Sequence, residues 1–145
     1  INKKHKSRLF DKNSRLFLFV KKGGSKMYFK DERHRTAFSN AVKGLNQKDR
    51  KLMSKIYLLS ADRALWRAAR RELKGNRLPL NKIRLSFCTE WSYTLLCCAK
   101  DLAYGTEHIT AADLADREVV SPKLLKIICN GIAIRRYGFE EKNGQ

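Results

Sequence analysis

Residues 81–104 read NKIRLSFCTEWSYTLLCCAKDLAY, and this mostly apolar stretch decides the predicted fold. Its apolar side chains recur every three or four residues, which is the period of an α-helix. Those that share one face are Phe87, Trp91, Leu95, Cys98 and Leu102. Other apolar residues surround the rest of the predicted helix, as is typical of a helix buried on most sides. We therefore expect a central core helix that begins at Asn81 or a few residues later and ends at Tyr104, before Gly105.

The same period continues on both sides of this stretch and predicts five more helices, while strand-like alternation is nearly absent. These helices are expected at about residues 31–43, 46–59, 60–75, 110–117 and 121–136. Side chains suited to cap helix N-termini stand at several starts, namely Asn46 with Asp49 three residues on, Ser60 or Asp62, Thr110, and Ser121. The sequence thus predicts an all-α, single compact domain of about six helices over residues 27–138, with a frayed tail at 139–145.

Residues 1–26 differ in composition from the rest of the chain. They hold nine Lys and Arg against one acid, Asp11, and so carry +8 of the total net charge of +18. Residues 22–27 read KGGSKM, and codons for Lys-Gly-Gly can contain a bacterial ribosome-binding sequence shortly before the Met27 codon. We interpret residues 1–26 as a translated leader. The alternatives are a disordered basic arm that binds nucleic acid and a targeting peptide, for which the apolar run at 16–20 is short.

The cysteines and histidines form no catalytic or metal-binding motif. Four cysteines fall on predicted helices among apolar neighbours, and these are Cys88, Cys97, Cys98 and Cys129. We expect reduced thiols that pack as small hydrophobic side chains. The sequence contains no C-x-x-C or H-x-x-x-H spacing and no glycine-rich phosphate loop. His34 falls on a charged helix, and His108 falls in a loop. These features predict a cytoplasmic protein with no metal, no cofactor and no enzyme activity.

Residues 110–131 read TAADLADREVVSPKLLKIICNG and resemble the helix-turn-helix segment of Cro- and Lac-type repressors. In this resemblance Thr110 caps the first helix, and Ala115 is the small residue where the two helices cross. Asn130 and Gly131 match the end of the recognition helix. Positions matching the remaining packing and cap residues are Leu114, Val120, Ser121, Leu125 and Ile128.

The resemblance departs from the repressor pattern at the turn and on the predicted reading face. Val119 stands where the turn usually carries glycine. The base-reading face would present Pro122, Lys123, Lys126 and Ile127. Only the two lysines can donate to base edges or phosphates. The alternatives are two ordinary core helices joined by a short turn, and a protein-binding use of the same unit.

A second resemblance covers most of the chain. Its quoted stretches are 29–34 (FKDERH), 56–62 (IYLLSAD), 99–105, 113–116 (DLAD) and 128–138. Over residues 27–138 the chain resembles a family of small uncharacterised proteins carried on integrative and conjugative elements of gut Firmicutes. In this resemblance the family starts near Met27, in agreement with the leader interpretation. The resemblance implies a mobile-element setting, and it implies no catalytic or binding residues.

The third predicted helix carries a cationic stripe. Arg63, Arg67, Arg70 and Lys74 are spaced four, three and four residues apart, so they share a narrow arc of the helix, and Arg71 flanks them. A row of one sign of charge can follow a phosphate backbone. The alternative is an ordinary solvated face. Trp66 lies beside the stripe, where it could stack on a base, although core packing is the expected role.

These patterns lead to two hypotheses of function. The first is a nucleic-acid-binding accessory or regulatory protein of a mobile genetic element, which docks on DNA or RNA through the basic helix and a helix-turn-helix. The second is a protein-interaction module without catalytic activity, for example an inhibitor of a host system, whose stripe meets an acidic partner. No apolar run approaches the ~20 residues that a membrane span needs, so no membrane partner is expected.

Overall fold

The structure of the chain is a computed structural model, and it describes residues 27–139. Within this range lie six α-helices and one short 3-10 helix, Leu80–Lys82. The α-helices are α1 (Glu32–Val42), α2 (Arg50–Ser60), α3 (Arg63–Arg70), α4 (Glu90–Tyr104), α5 (Ala111–Ala115) and α6 (Pro122–Tyr137). The predicted all-α fold is therefore confirmed. The predicted leader at 1–26 and the tail from residue 140 onward lie outside the described residues.

Each α-helix begins at a side chain that accepts a hydrogen bond from a backbone N–H of the first turn, which satisfies a donor that has no partner inside the helix. The capping residues are Asp31, Asp49, Asp62, Thr89, Thr110 and Ser121. The predicted caps at Asp62, Thr110 and Ser121 are confirmed. The cap of α2 was assigned wrongly. Asp49 accepts from the Leu52 N–H at 3.0 Å, whereas Asn46 accepts from Lys48 in the preceding turn.

The centre of the core is α2, and the prediction that residues 81–104 supply it was wrong. Helix α2 packs against α1, α3, α4 and α6. Eight of its 11 residues are buried. Helix α4 contributes a narrower buried face, which includes Leu95, Cys98 and Ala99. The periodicity of apolar residues favoured the longer apolar run, which is α4. The central helix is instead α2, because it is the one that packs against four neighbouring helices.

The helix predicted to begin near Asn81 begins at Glu90 instead. Residues 83–87 read IRLSF, an alternation of period two that fits extended chain rather than helix. Ile83 is buried and Leu85 packs on the core, which ties this segment down. Phe87, predicted to lie on the buried helix face, is 69% exposed. The start of α4 is fixed by a reciprocal pair of hydrogen bonds between Thr89 and Ser92.

Helix α3 also ends earlier than predicted, at Arg70 rather than near Gly75. A tight turn follows, closed by two backbone hydrogen bonds between Lys74 and Arg77 of 2.9 and 3.0 Å. Gly75 has a φ of +57°, which glycine adopts without strain. The Asn76 side chain accepts from the Asn46 N–H at 2.8 Å and joins the turn to the linker after α1. Lys74 therefore lies beyond the helix that was predicted to carry it.

Among the described residues, none of the helices combines the length and the apolar character needed to cross a lipid bilayer.

Candidate nucleic-acid interface

Helix α3 is fixed to the core by one face and leaves its arginines on the other. Leu65, Trp66 and Ala69 are buried against the rest of the domain. Arg63, Arg67 and Arg70 are exposed, as the four-and-three spacing predicts. Trp66 is only 8% exposed, which confirms the prediction that it packs in the core and does not present an open face for a base to stack on. The arginine side chains thus project from a helix whose orientation the core determines.

No acidic side chain within residues 27–139 forms an ion pair with the basic side chains of this helix. Within residues 27–139, Arg35 forms an ion pair with Glu32, and the other contact between a basic and an acidic side chain at this distance is the hydrogen-bonded pair of His108 and Asp101. None of the side chains of Arg63, Arg67, Arg70, Arg71 and Lys74 has a hydrogen-bond or ion-pair partner in the same range. We name the row Arg63, Arg67 and Arg70 the arginine row. Its donors are free to bind an anionic ligand.

The arginine row borders a wide groove between α1 and α3, with a volume of about 740 Å³. Its apolar lining consists of Ala37, Ala41, Trp66 and Leu73. The polar lining residues from α1 are Glu32, Arg33, Thr36 and Asn40. Arg33 donates to the carbonyls of Ser60 and Ala61 at 2.9 Å, which holds α1 beside the α2–α3 junction. This groove was not predicted, because it joins side chains from helices about 30 residues apart.

A second, narrow groove of about 250 Å³ lies along another side of α3. Its residues from α3 and its C-cap are Ala64, Arg67, Ala68 and Arg71, and those from the loop before α4 are Arg84, Leu85, Ser86 and Phe87. Arg67 lines both grooves. No acidic residue is among the described residues that line the narrow groove. Arg84 and Phe87 were missed as site residues because the sequence was interpreted as helix there.

The other two predicted site residues lie elsewhere. Lys123 and Lys126 are exposed on the first turns of α6 and line neither groove. The Nζ atom of Lys126 lies 5.8 Å from the centre of the Tyr28 ring, a cation–π contact. The structure therefore does not join these lysines to the arginine row in either groove.

Val120 and Ile128 are buried as the helix-turn-helix interpretation predicted, but the predicted helix crossing and the predicted end of the recognition helix are not found. The two helices are present with the expected caps, but α5 has no buried residue and Ala115 is exposed. Ile127, assigned to the base-reading face, is completely buried. Asn130 and Gly131 are buried in the middle of α6, which continues to Tyr137, so they do not end the helix. A five-residue α5 is too short to bury the stripe that locks such a pair.

The thiols and His108 occupy structural positions. Burial raises the pKa of Cys98 to about 12 and raises the pKa of Cys97 and Cys129, which favours the neutral thiol. Cys88 is exposed in the loop before α4, contrary to the prediction that it lies on a helix. No cluster of His, Cys, Asp or Glu that could hold a metal lies within residues 27–139.

Asp101 organises the loop between α4 and α5. It accepts hydrogen bonds from the Thr106 hydroxyl at 2.6 Å and from the N–H groups of His108 and Ile109 at 2.9 and 2.8 Å. Burial raises the pKa of Asp101, but these hydrogen bonds outweigh it and leave the pKa lowered. Its oxygen also lies 2.9 Å from Nδ1 of His108. We therefore assign His108 a structural role in the loop between α4 and α5.

Comparison of the chain with protein-family models, with curated proteins and with solved structures finds no match.

Proposed function

We propose that this protein binds nucleic acid through α3, with the arginine row on the phosphate backbone. The observation that carries the proposal is a row of three exposed guanidiniums without acidic partners, on a helix whose other face is buried. With a rise of about 1.5 Å per residue, Arg63 to Arg70 span about 10 Å of helix axis. One strand of DNA carries a phosphate about every 3.4 Å along its axis, so this span can follow two or three phosphates.

The cellular setting belongs to the same proposal. The resemblance to proteins of integrative and conjugative elements favours an accessory or regulatory role on a mobile element. Reduced thiols buried in the core fit the cytoplasm, where such a protein would meet DNA or RNA. Arginine is suited to the task because its guanidinium stays charged and can donate two parallel hydrogen bonds to one phosphate.

Two double variants test which surface binds. Arg67→Ala with Arg70→Ala removes two charges from the arginine row, and Lys123→Ala with Lys126→Ala removes two from α6. We expect the arginine variant to weaken binding to mixed-sequence duplex DNA about ten-fold or more near physiological salt, and the lysine variant to change it little. Fluorescence anisotropy with labelled DNA measures both. The four side chains are exposed, so thermal unfolding should confirm that each variant keeps its fold.

The reverse ranking would contradict docking through α3 and would favour the first turns of α6. Absence of measurable DNA affinity in the unaltered protein would remove the nucleic-acid proposal as a whole.

The wide groove favours a second candidate, an acidic partner protein. Its apolar floor of Ala37, Ala41, Trp66 and Leu73 suits the apolar face of an amphipathic helix better than it suits phosphates. The arginine row would then pair with acids on the rim of that helix. Stable capture of one acidic protein, lost on Ala41→Glu and accompanied by no DNA affinity, would establish this function instead.

A further inference from the structure

Phe87 is the most exposed large hydrophobic side chain among the described residues, at 69%. The chain is anchored on both sides of it. Ile83 and Leu85 pack on the core before it, and the Thr89–Ser92 capping pair begins α4 after it. The exposed ring is therefore held between two fixed points, which lowers the ordering cost of a contact with a ligand.

The surroundings of Phe87 are cationic. The narrow groove brings it beside Arg67 on α3, Arg71 at the C-cap of α3, and Arg84 from its own loop. The Nη1 atom of Arg84 donates to the Asn81 carbonyl at 2.9 Å and to the Ile83 carbonyl at 3.4 Å. These bonds hold the guanidinium and leave its other N–H groups available. An aromatic face among three arginines and no acid is complementary to a base joined to a phosphate.

Size and chemistry restrict the form of the ligand. At about 250 Å³ the groove is below the range of about 300–1,000 Å³ typical of pockets that enclose a whole small molecule, so it suits a single base rather than a helix. A base paired inside a duplex is stacked on both faces and cannot offer a face to Phe87. A strand with unpaired bases can do so, while its backbone passes along the arginines.

We propose that the narrow groove binds single-stranded nucleic acid, with one unpaired base stacked on Phe87 and the adjoining phosphates on Arg67, Arg71 and Arg84. This inference rests on the proposed function and specifies its ligand. It also gives the shared position of Arg67 a role, because this residue joins the narrow groove to the arginine row.

The test compares a labelled single-stranded oligonucleotide with its duplex, by fluorescence anisotropy at one salt concentration. Phe87→Ala should weaken single-strand binding about ten-fold, the scale of one lost base–aromatic stack, and should change duplex binding less than two-fold. Phe87→Tyr keeps a ring and should bind the single strand almost as the unaltered protein does. Tyr137→Ala, which removes another exposed ring, is the matched control and should have no effect.

Two results separate this inference from the proposed function. If Phe87→Ala leaves both affinities unchanged or lowers both alike, stacking on Phe87 is refuted while backbone binding by the arginine row stands. If neither oligonucleotide binds the unaltered protein, both proposals are wrong.

Discussion

The sequence places His34 on a helix whose other residues are largely charged, yet its side chain is completely buried. Nε2–H donates to the Tyr57 carbonyl at 2.8 Å, and Nδ1 accepts from the Lys30 N–H at 3.1 Å. The Lys30 bond requires the neutral ring, because Nδ1 can accept only while it carries no proton, whereas the bond to Tyr57 can form in either charge state. Burial lowers the pKa of His34 from 6.5 to about 4, although the bond to Tyr57 acts in the opposite direction. This histidine therefore stabilises the junction of α1 and α2 only while it is uncharged.

The lowered pKa predicts a loss of stability in mild acid. Below pH 6.5 the unfolded chain binds a proton at His34, and the folded chain does not bind it until about pH 4. The free energy of unfolding should therefore fall as the pH is lowered through this window. At about 1.4 kcal/mol per unit, the fall between pH 7 and 5 should be about 2 kcal/mol. Urea unfolding at the two pH values measures it. His34→Gln should flatten this part of the profile, and an unchanged profile in that variant would assign the slope to other groups.

The contact between α2 and α6 depends on a residue without a side chain. Gly131 lies in the middle of α6, and a Cβ built on it would stand 2.6 Å from Cδ2 and 2.8 Å from Cγ of Leu58. Leu58 is completely buried on α2, so its side chain has little room to move away. The two helices approach closely because this position is glycine. The same residue was interpreted from sequence as the end of a recognition helix, which shows how a local pattern can hide a packing role.

Gly131→Ala should destabilise the domain by about 1–3 kcal/mol through overpacking, despite the better helix propensity of alanine. Chemical denaturation measures the change. The control is a double-mutant cycle with Leu58→Ala, in which Gly131→Ala should cost little because the opposing side chain is gone. Equal costs of Gly131→Ala in the two backgrounds would show that the Leu58 contact is not responsible.

At the scale of the whole molecule, the features that could be predicted from the sequence are those set by residues close together along the chain. The caps at Asp62, Thr110 and Ser121 follow from local hydrogen bonding, and the exposure of Arg67 follows from helical spacing. The extended segment around Phe87 was missed, because the apolar period was extended across a stretch that alternates by two. Neither groove could be predicted, since each joins side chains from separate segments that only tertiary packing brings together.

The central claim, that α3 binds a phosphate backbone, is tested most directly by the salt dependence of DNA binding. Each phosphate contact contributes about 0.9 to the slope of log K against log salt for duplex DNA. The Arg67→Ala, Arg70→Ala double variant should therefore have a slope shallower by about 1 to 2 than that of the unaltered protein. The Lys123→Ala, Lys126→Ala variant removes the same charge and should keep the original slope. Equal slopes in all three proteins would contradict the account, because the arginine row would then make no phosphate contacts.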